Sequence, residues 1–197
     1  MYDVRPPYAQ TLQSLYQLYQ NIDSRVQELT RIHSIRLHCC RGCSSCCVDD
    51  LSVFPVEAYA IRSFHARLLK YGYPHTKGAC AFLDGNGACR IYQHRPYVCR
   101  TQGLPLQWIE RHDNGKIVAM RDICPLNEKG TPIEQLPEDC CWKIGPTEES
   151  LAKVQYGADK KNKNRVSLRS LFRLQGPNPA KLNVTHSLDK DLIKNIN

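Results

Sequence analysis

The sequence predicts an α+β fold: a small, irregular, cysteine-rich domain in which bound metal supplements a modest core. Three observations carry this. The nonapeptide Cys39–Cys47 reads CCRGCSSCC and holds five of the chain's eleven cysteines. Hydrophobic residues make up only 42% of the 197 positions, and cysteine is part of that share, so metal is expected to carry some of the folding free energy. Apolar periodicity then marks a long N-terminal helix, a second helix and two short β-hairpins. The predicted organisation is a helical arm at 1–37, a cysteine-cluster metal-binding domain at 38–158 and a basic, weakly ordered tail at 159–197.

Residues 1–7, ending in Pro6–Pro7, read as an irregular arm. From Tyr8 to about Leu37, the residues Leu12, Leu15, Tyr19, Ile22, Val26 and Leu29 recur at spacings of three and four. That places them on one helical stripe. Such a stripe packs on its own domain or forms a coiled-coil dimer seam. Pro55 suits the first turn of the second helix. Its approximate apolar face is Val56, Tyr59, Ala60, Ser63, Leu68 and Leu69, with Gly72 and Pro74 as the stop.

Asp84–Gly87 (DGNG) is a turn between two extended runs, Cys80–Leu83 and Ala88–Tyr92. Cys80 and Cys89 therefore fall on opposite arms of a hairpin. His112–Gly115 (HDNG) is the turn of a second hairpin within Gln107–Arg121. A short helix is expected near Glu134, and a last one across Leu151–Tyr156 starting at Thr147. Beyond Asp159 the chain is basic and Asn-rich without a continuous apolar face, and Leu171, Phe172 and Leu174 read as local docking points. There is no internal repeat and no phosphate-binding glycine loop.

The chemistry lies in the thiols. Clustered free cysteines oxidise or take up metal. They make poor disulfides when adjacent, because a bridge needs Cα atoms about 4.4–6.8 Å apart. The odd total also argues against a fully paired framework. From Cys40 onward the spacing is C-x2-C-x2-C-C, with Gly42, Ser44 and Ser45 letting the backbone curl and offer N–H groups to sulfur. Three thiolates at that spacing with a fourth from afar suit a [4Fe–4S] cluster, and Cys124–Pro125 is formally the distant Cys-Pro of such loops. Paired C-x2-C knuckles would serve zinc equally.

Cys46 and Cys47 are adjacent, so their side chains are expected to diverge and not to share a single ion. The ligand set read from the sequence is Cys40, Cys43, Cys46, Cys47, Cys80, Cys89, Cys99 and Cys124, enough for two four-coordinate centres. Cys39, Cys140 and Cys141 are left outside it. His38 and His94 read as surface residues or partners of the ligands. Arg95 and Arg100 flank Cys99, where they either stabilise thiolate charge or make ordinary salt bridges.

These residues resemble a known family. C-x2-C-x2-C-C at Cys40–Cys47, followed by Cys80, Cys89, Ile91, Tyr92, Arg95, Pro96, Cys99 and Arg100 in order, is similar to the YkgJ-like CxxCxxCC cysteine-cluster family. Its members are described as zinc- or iron-chelating domains. The resemblance spans roughly residues 38–125. It implies a metal-binding domain without implying a reaction; some larger relatives resemble flagellin lysine N-methylases, but no methyl-donor motif is present here.

The expected role is thus a metal-binding protein holding an iron–sulfur cluster, favoured over zinc, with a structural, electron-transfer or metal-delivery task. The alternatives are a cluster-dependent protein-modifying enzyme and a zinc-stabilised interaction module. The first ten residues, MYDVRPPYAQ, lack the basic and apolar regions of a signal peptide. No run nears the roughly 18 apolar residues of a membrane span. A cytoplasmic setting, where thiols stay reduced, is therefore expected. The formal charge of +8 admits nucleic acid as a partner, but aromatic and basic residues are not interleaved as in single-strand binders. A protein partner is the expectation, with dimerisation through the N-terminal helix a further option.

Overall fold

The structure is a computed structural model and describes residues 6–160 and 164–172. Four α-helices surround two small sheets: α1 (Pro6–Ile32), α2 (Pro55–Tyr71), α3 (Tyr97–Arg100) and α4 (Ile144–Ala158). The strands are β1 (Ser52–Val53), β2 (Leu106–Arg111), β3 (Ile117–Asp122), β4 (Trp142–Lys143) and β5 (Val166–Ser167). This is the expected α+β mixture. Among the described residues no helix is long and apolar enough to cross a membrane.

α1 begins at Pro6, not Tyr8, because proline is well tolerated in a first helical turn. It ends at Ile32, and turns at 33–36 lead into the cysteine loop. Its stripe is the expected one: Leu15, Tyr19, Ile22 and Leu29 are buried, with Leu12 and Val26 packed beside them. They join Val56, Ala60, Tyr97, Leu104, Trp142 and Leu151 in one core. The stripe is therefore covered by α2, α3 and α4 of its own chain.

α2 runs from Pro55 to Tyr71 with Gly72 as its cap, but its buried residues are Val56, Glu57, Ala58, Ala60, Ile61 and Leu69. Tyr59 is only half-buried and Ser63 is exposed. A single apolar face was the wrong expectation, because α2 lies between two cores. Val56 and Ala60 face the α1 core. Ala58, Ile61 and Leu69 face a second core with Val53, Phe82, Ile91, Leu168 and Phe172. Non-helical backbone at His65 also bends the helix midway.

The second hairpin forms as predicted, with β2 and β3 antiparallel and Trp108 opposite Met120. β4 adds to β2 in parallel, Leu106 opposite Trp142, giving the order β3-β2-β4. The first hairpin is smaller than expected. It reduces to one bridge, Leu83 to Cys89, across a turn in which Asp84 Oδ1 accepts from the N–H groups of Asn86 and Ala88, each at 2.9 Å. A short 3-10 turn spans Ile133–Gln135, near the helix expected at Glu134. α4 starts three residues before Thr147, again with a proline, Pro146, in its first turn.

The basic segment also departs from expectation. Val166 pairs with Val53, and Leu168, Leu171 and Phe172 are buried in the second core. Leu171 and Phe172 dock as foreseen, but over 166–172 the chain is a structural part of the domain. Three apolar residues are enough once β1 supplies a strand to pair with. The rest of the expected tail, at 161–163 and 173–197 and including Leu174, lies outside the described residues.

One buried carboxylate joins the pieces. Glu57, at the third position of α2, accepts from Phe54 N–H (3.0 Å), Tyr97 N–H (2.8 Å) and Tyr19 O–H (2.9 Å). Trp142 Nε1 then donates to Tyr97 Oη at 3.0 Å. Burial raises the Glu57 carboxyl above its ordinary value, and those three donors oppose the rise. The hub holds α1, α2 and α3 in register, and α3 carries Cys99.

Candidate metal centre

The two cysteine motifs meet. Cys80 N–H donates to Cys47 O at 2.8 Å, directly joining the nonapeptide to the hairpin segment. The loop itself is two turns in succession. Cys43 N–H donates to Cys40 O at 3.1 Å, and Cys47 N–H donates to Ser44 O at 2.9 Å. Gly42 sits in the first turn at φ +89°, a conformation that residues with a Cβ rarely adopt.

Around this junction the cysteines fall into two sets according to which thiols feel one another's fields. The inner one is Cys47, Cys80, Cys89 and Cys99. Cys80 belongs to the second core, and Cys47 and Cys89 pack against it. Burial pushes Cys99 up to about 12, and the fields of Cys80, Cys89 and Glu57 add to the rise while Arg95 opposes it. Burial raises Cys80 and Cys89 as well. The outer group is Cys39, Cys43, Cys46 and Cys124. Burial raises Cys39, an Asn127 hydrogen bond lowers it, and Cys43, Cys124 and Cys46 each raise it again.

The two groups touch at the vicinal pair. A direct interaction links the Cys46 and Cys47 thiols. It pulls Cys46 below the ordinary thiol range and pushes Cys47 above it. The sulfurs are neighbours without forming a closed cage. Among the described residues, no three His, Cys, Asp or Glu side chains are gathered closely enough to hold an ion as they stand.

Whether these thiols suit a metal is tested by the groups around them. Arg95 Nε is buried without an acceptor, and its charge favours ionisation of both Cys89 and Cys99. Thiolates, which metal binding creates, are the acceptors it lacks. The inner set fits a thiophilic centre on this ground. Arg100 Nε is also buried without an acceptor, but its guanidinium pairs with Asp23 at 2.6 Å and lies over the Tyr19 ring at 4.0 Å, which binds α3 to α1.

Other polar groups around the loop have structural partners. Asp49 forms an ion pair with Arg169 and accepts from Gly78 N–H at 3.0 Å, fixing the connection between the two motifs. Arg169 also donates to the carbonyls of His75 (2.6 Å) and Ala79 (2.7 Å). His94 stacks on Phe64 at 4.0 Å and shares a 3.1 Å hydrogen bond with His65, away from the thiols. Cys140 and Cys141 sit beside each other near Arg25, Arg36 and Arg121.

Sequence reasoning missed Glu57, Asn127 and Arg169. Glu57 was legible as an acid three residues after a helix cap. Asn127 and Arg169 are single residues in irregular segments and gave no pattern to read.

Residues 39–125 match the family model CxxCxxCC, described as a "putative zinc- or iron-chelating domain". This segment is similar to the CxxCxxCC family. The match begins at Cys39 and closes at Pro125, just past Cys124, so it contains both thiol groups and excludes Cys140 and Cys141. That likeness supports a general metal-binding role. No curated protein and no solved structure matches the chain.

Proposed function

We propose that this protein binds metal at two thiolate centres, as iron–sulfur clusters or as zinc, and that the centres are inner and outer halves of one cysteine belt. The observation that carries the reading is the Cys80 N–H to Cys47 O bond, which brings thiols from two separated stretches together. The inner centre uses Cys47, Cys80, Cys89 and Cys99. The outer uses Cys43, Cys46 and Cys124 with one thiolate from the Cys39–Cys40 pair, which the C-x2-C-x2-C spacing assigns to Cys40.

Iron–sulfur is the first choice. C-x2-C-x2-C supplies three thiolates to one cluster, and contact between Cys46 and Cys47 suits neighbouring or polynuclear centres better than isolated ions. The role proposed is structural or electron-transferring in a cytoplasmic setting, with a protein partner. Anaerobic purification tests this. A brown protein with a broad band near roughly 400 nm supports clusters. A colourless protein with stoichiometric zinc supports the zinc form. A protein that takes up neither metal rejects the proposal.

A further inference from the structure

We infer that Cys39, presented by the buried side chain of Asn127, supplies the fourth thiolate of the outer centre in place of Cys40. This deepens the two-centre reading and rests on it. Asn127 is fully buried. Its Oδ1 accepts from His38 N–H at 2.9 Å, and its Nδ2 donates to Gly103 O at 2.8 Å and to Cys39 Sγ at 3.3 Å. Its own N–H donates to Cys124 O at 2.7 Å. One residue thus fixes the backbone entering the loop, the sulfur of Cys39 and the turn that carries Cys124.

The seat for that sulfur is shaped from the other side as well. Gly103 has φ +94°, and a Cβ built there would stand 2.6 Å from Cys39 Sγ. A side chain at 103 would displace the sulfur, so glycine is needed there for two independent reasons. An amide N–H aimed at sulfur is also the kind of donor that tunes a metal-bound thiolate. Cys39 and Cys40 are both exposed, but Cys39 is held through its sulfur, whereas Cys40 is held through its carbonyl, which accepts from Cys43 N–H. A motif count starting at Cys40 therefore picks the turn-forming residue and passes over the neighbour whose sulfur is held.

The test uses the full chain loaded with zinc. It is treated with a thiol-alkylating reagent, and the peptide carrying 39–47 is sequenced by mass spectrometry. Protection of Cys39 with alkylation of Cys40 is expected; the reverse overturns the inference while leaving metal binding intact. A chain that takes up neither zinc nor an iron–sulfur cluster rejects the two-centre reading itself. In competition with a chelator, Cys39→Ser should weaken the outer centre at least about tenfold and Cys40→Ser should not. Asn127→Asp keeps the acceptor for His38 but loses both amide donors. It should weaken the outer centre by about ten- to a hundredfold and expose Cys39 to alkylation. Unchanged affinity and unchanged protection in that variant would overturn the role given to Asn127.

Discussion

The inner and outer thiol groups hold the same chemical components on different supports. The inner four are carried by a hydrophobic core: Cys80 is built into it, Cys47 and Cys89 lean on it, and Cys99 rides on a short helix anchored through Glu57. The outer group is carried by turns and by one buried amide, with Cys39 exposed and Cys43, Cys46 and Cys124 half-buried. Packing organises the first before any metal arrives. On the proposed reading, the second would depend on its metal for much of its rigidity.

The sharpest way to break that comparison is to remove one thiol from each side. Cys99→Ser should lose the inner metal and place a hydroxyl among buried groups, costing about 3 kcal/mol or more. Cys43→Ser should lose the outer metal while the two cores stay folded. Urea unfolding with metal analysis checks both. Equal loss of stability in the two variants would erase the distinction.

Glu57→Gln probes the support alone. It keeps one acceptor oxygen but turns an N–H donor toward another donor, for a cost of about 1–3 kcal/mol. The folded state raises the Glu57 carboxyl, so it holds that proton more tightly than the unfolded chain. The resulting stabilisation is complete below the ordinary value of 4.5 and fades as pH rises through the folded value. The gap between the native chain and Glu57→Gln should therefore narrow from acid to neutral pH, read as the shift in the urea midpoint.

Arg95→Gln and Arg100→Gln divide two flanking arginines by task. The first should weaken the inner metal about tenfold and spare the fold. The second should loosen α1 from α3 and spare metal affinity. Chelator competition and thermal unfolding separate these outcomes. The smallest effect expected is that of Cys140→Ser, with metal content unchanged and stability within about 0.5 kcal/mol.

What the sequence revealed follows the same division. Elements set by local rules were legible: the α1 stripe, the α2 limits at Pro55 and Gly72, and the β2–β3 turn at HDNG. The meeting of two cysteine motifs was legible too, because their spacing implies convergence. Features set by tertiary contact were not. α2 buries Ala58 and Ile61 because a second core lies on its other side. β4, β1 and β5 are two residues each, too short for periodicity to register. The choice between Cys39 and Cys40 hangs on an asparagine 88 positions away along the chain.

Arg169 and its neighbours carry one more consequence. The stretch that matches the family ends at 125, yet Leu168, Leu171 and Phe172 complete the wall behind Cys80, and Arg169 ties down Asp49. α1 and α4 likewise lie beyond its limits and close the other core. The recognisable motif therefore marks where the clustered cysteines are, while the unit that folds is larger. A fragment trimmed to the motif would carry the cysteines without the walls behind them, so a fragment meant to fold should run at least from α1 through Phe172.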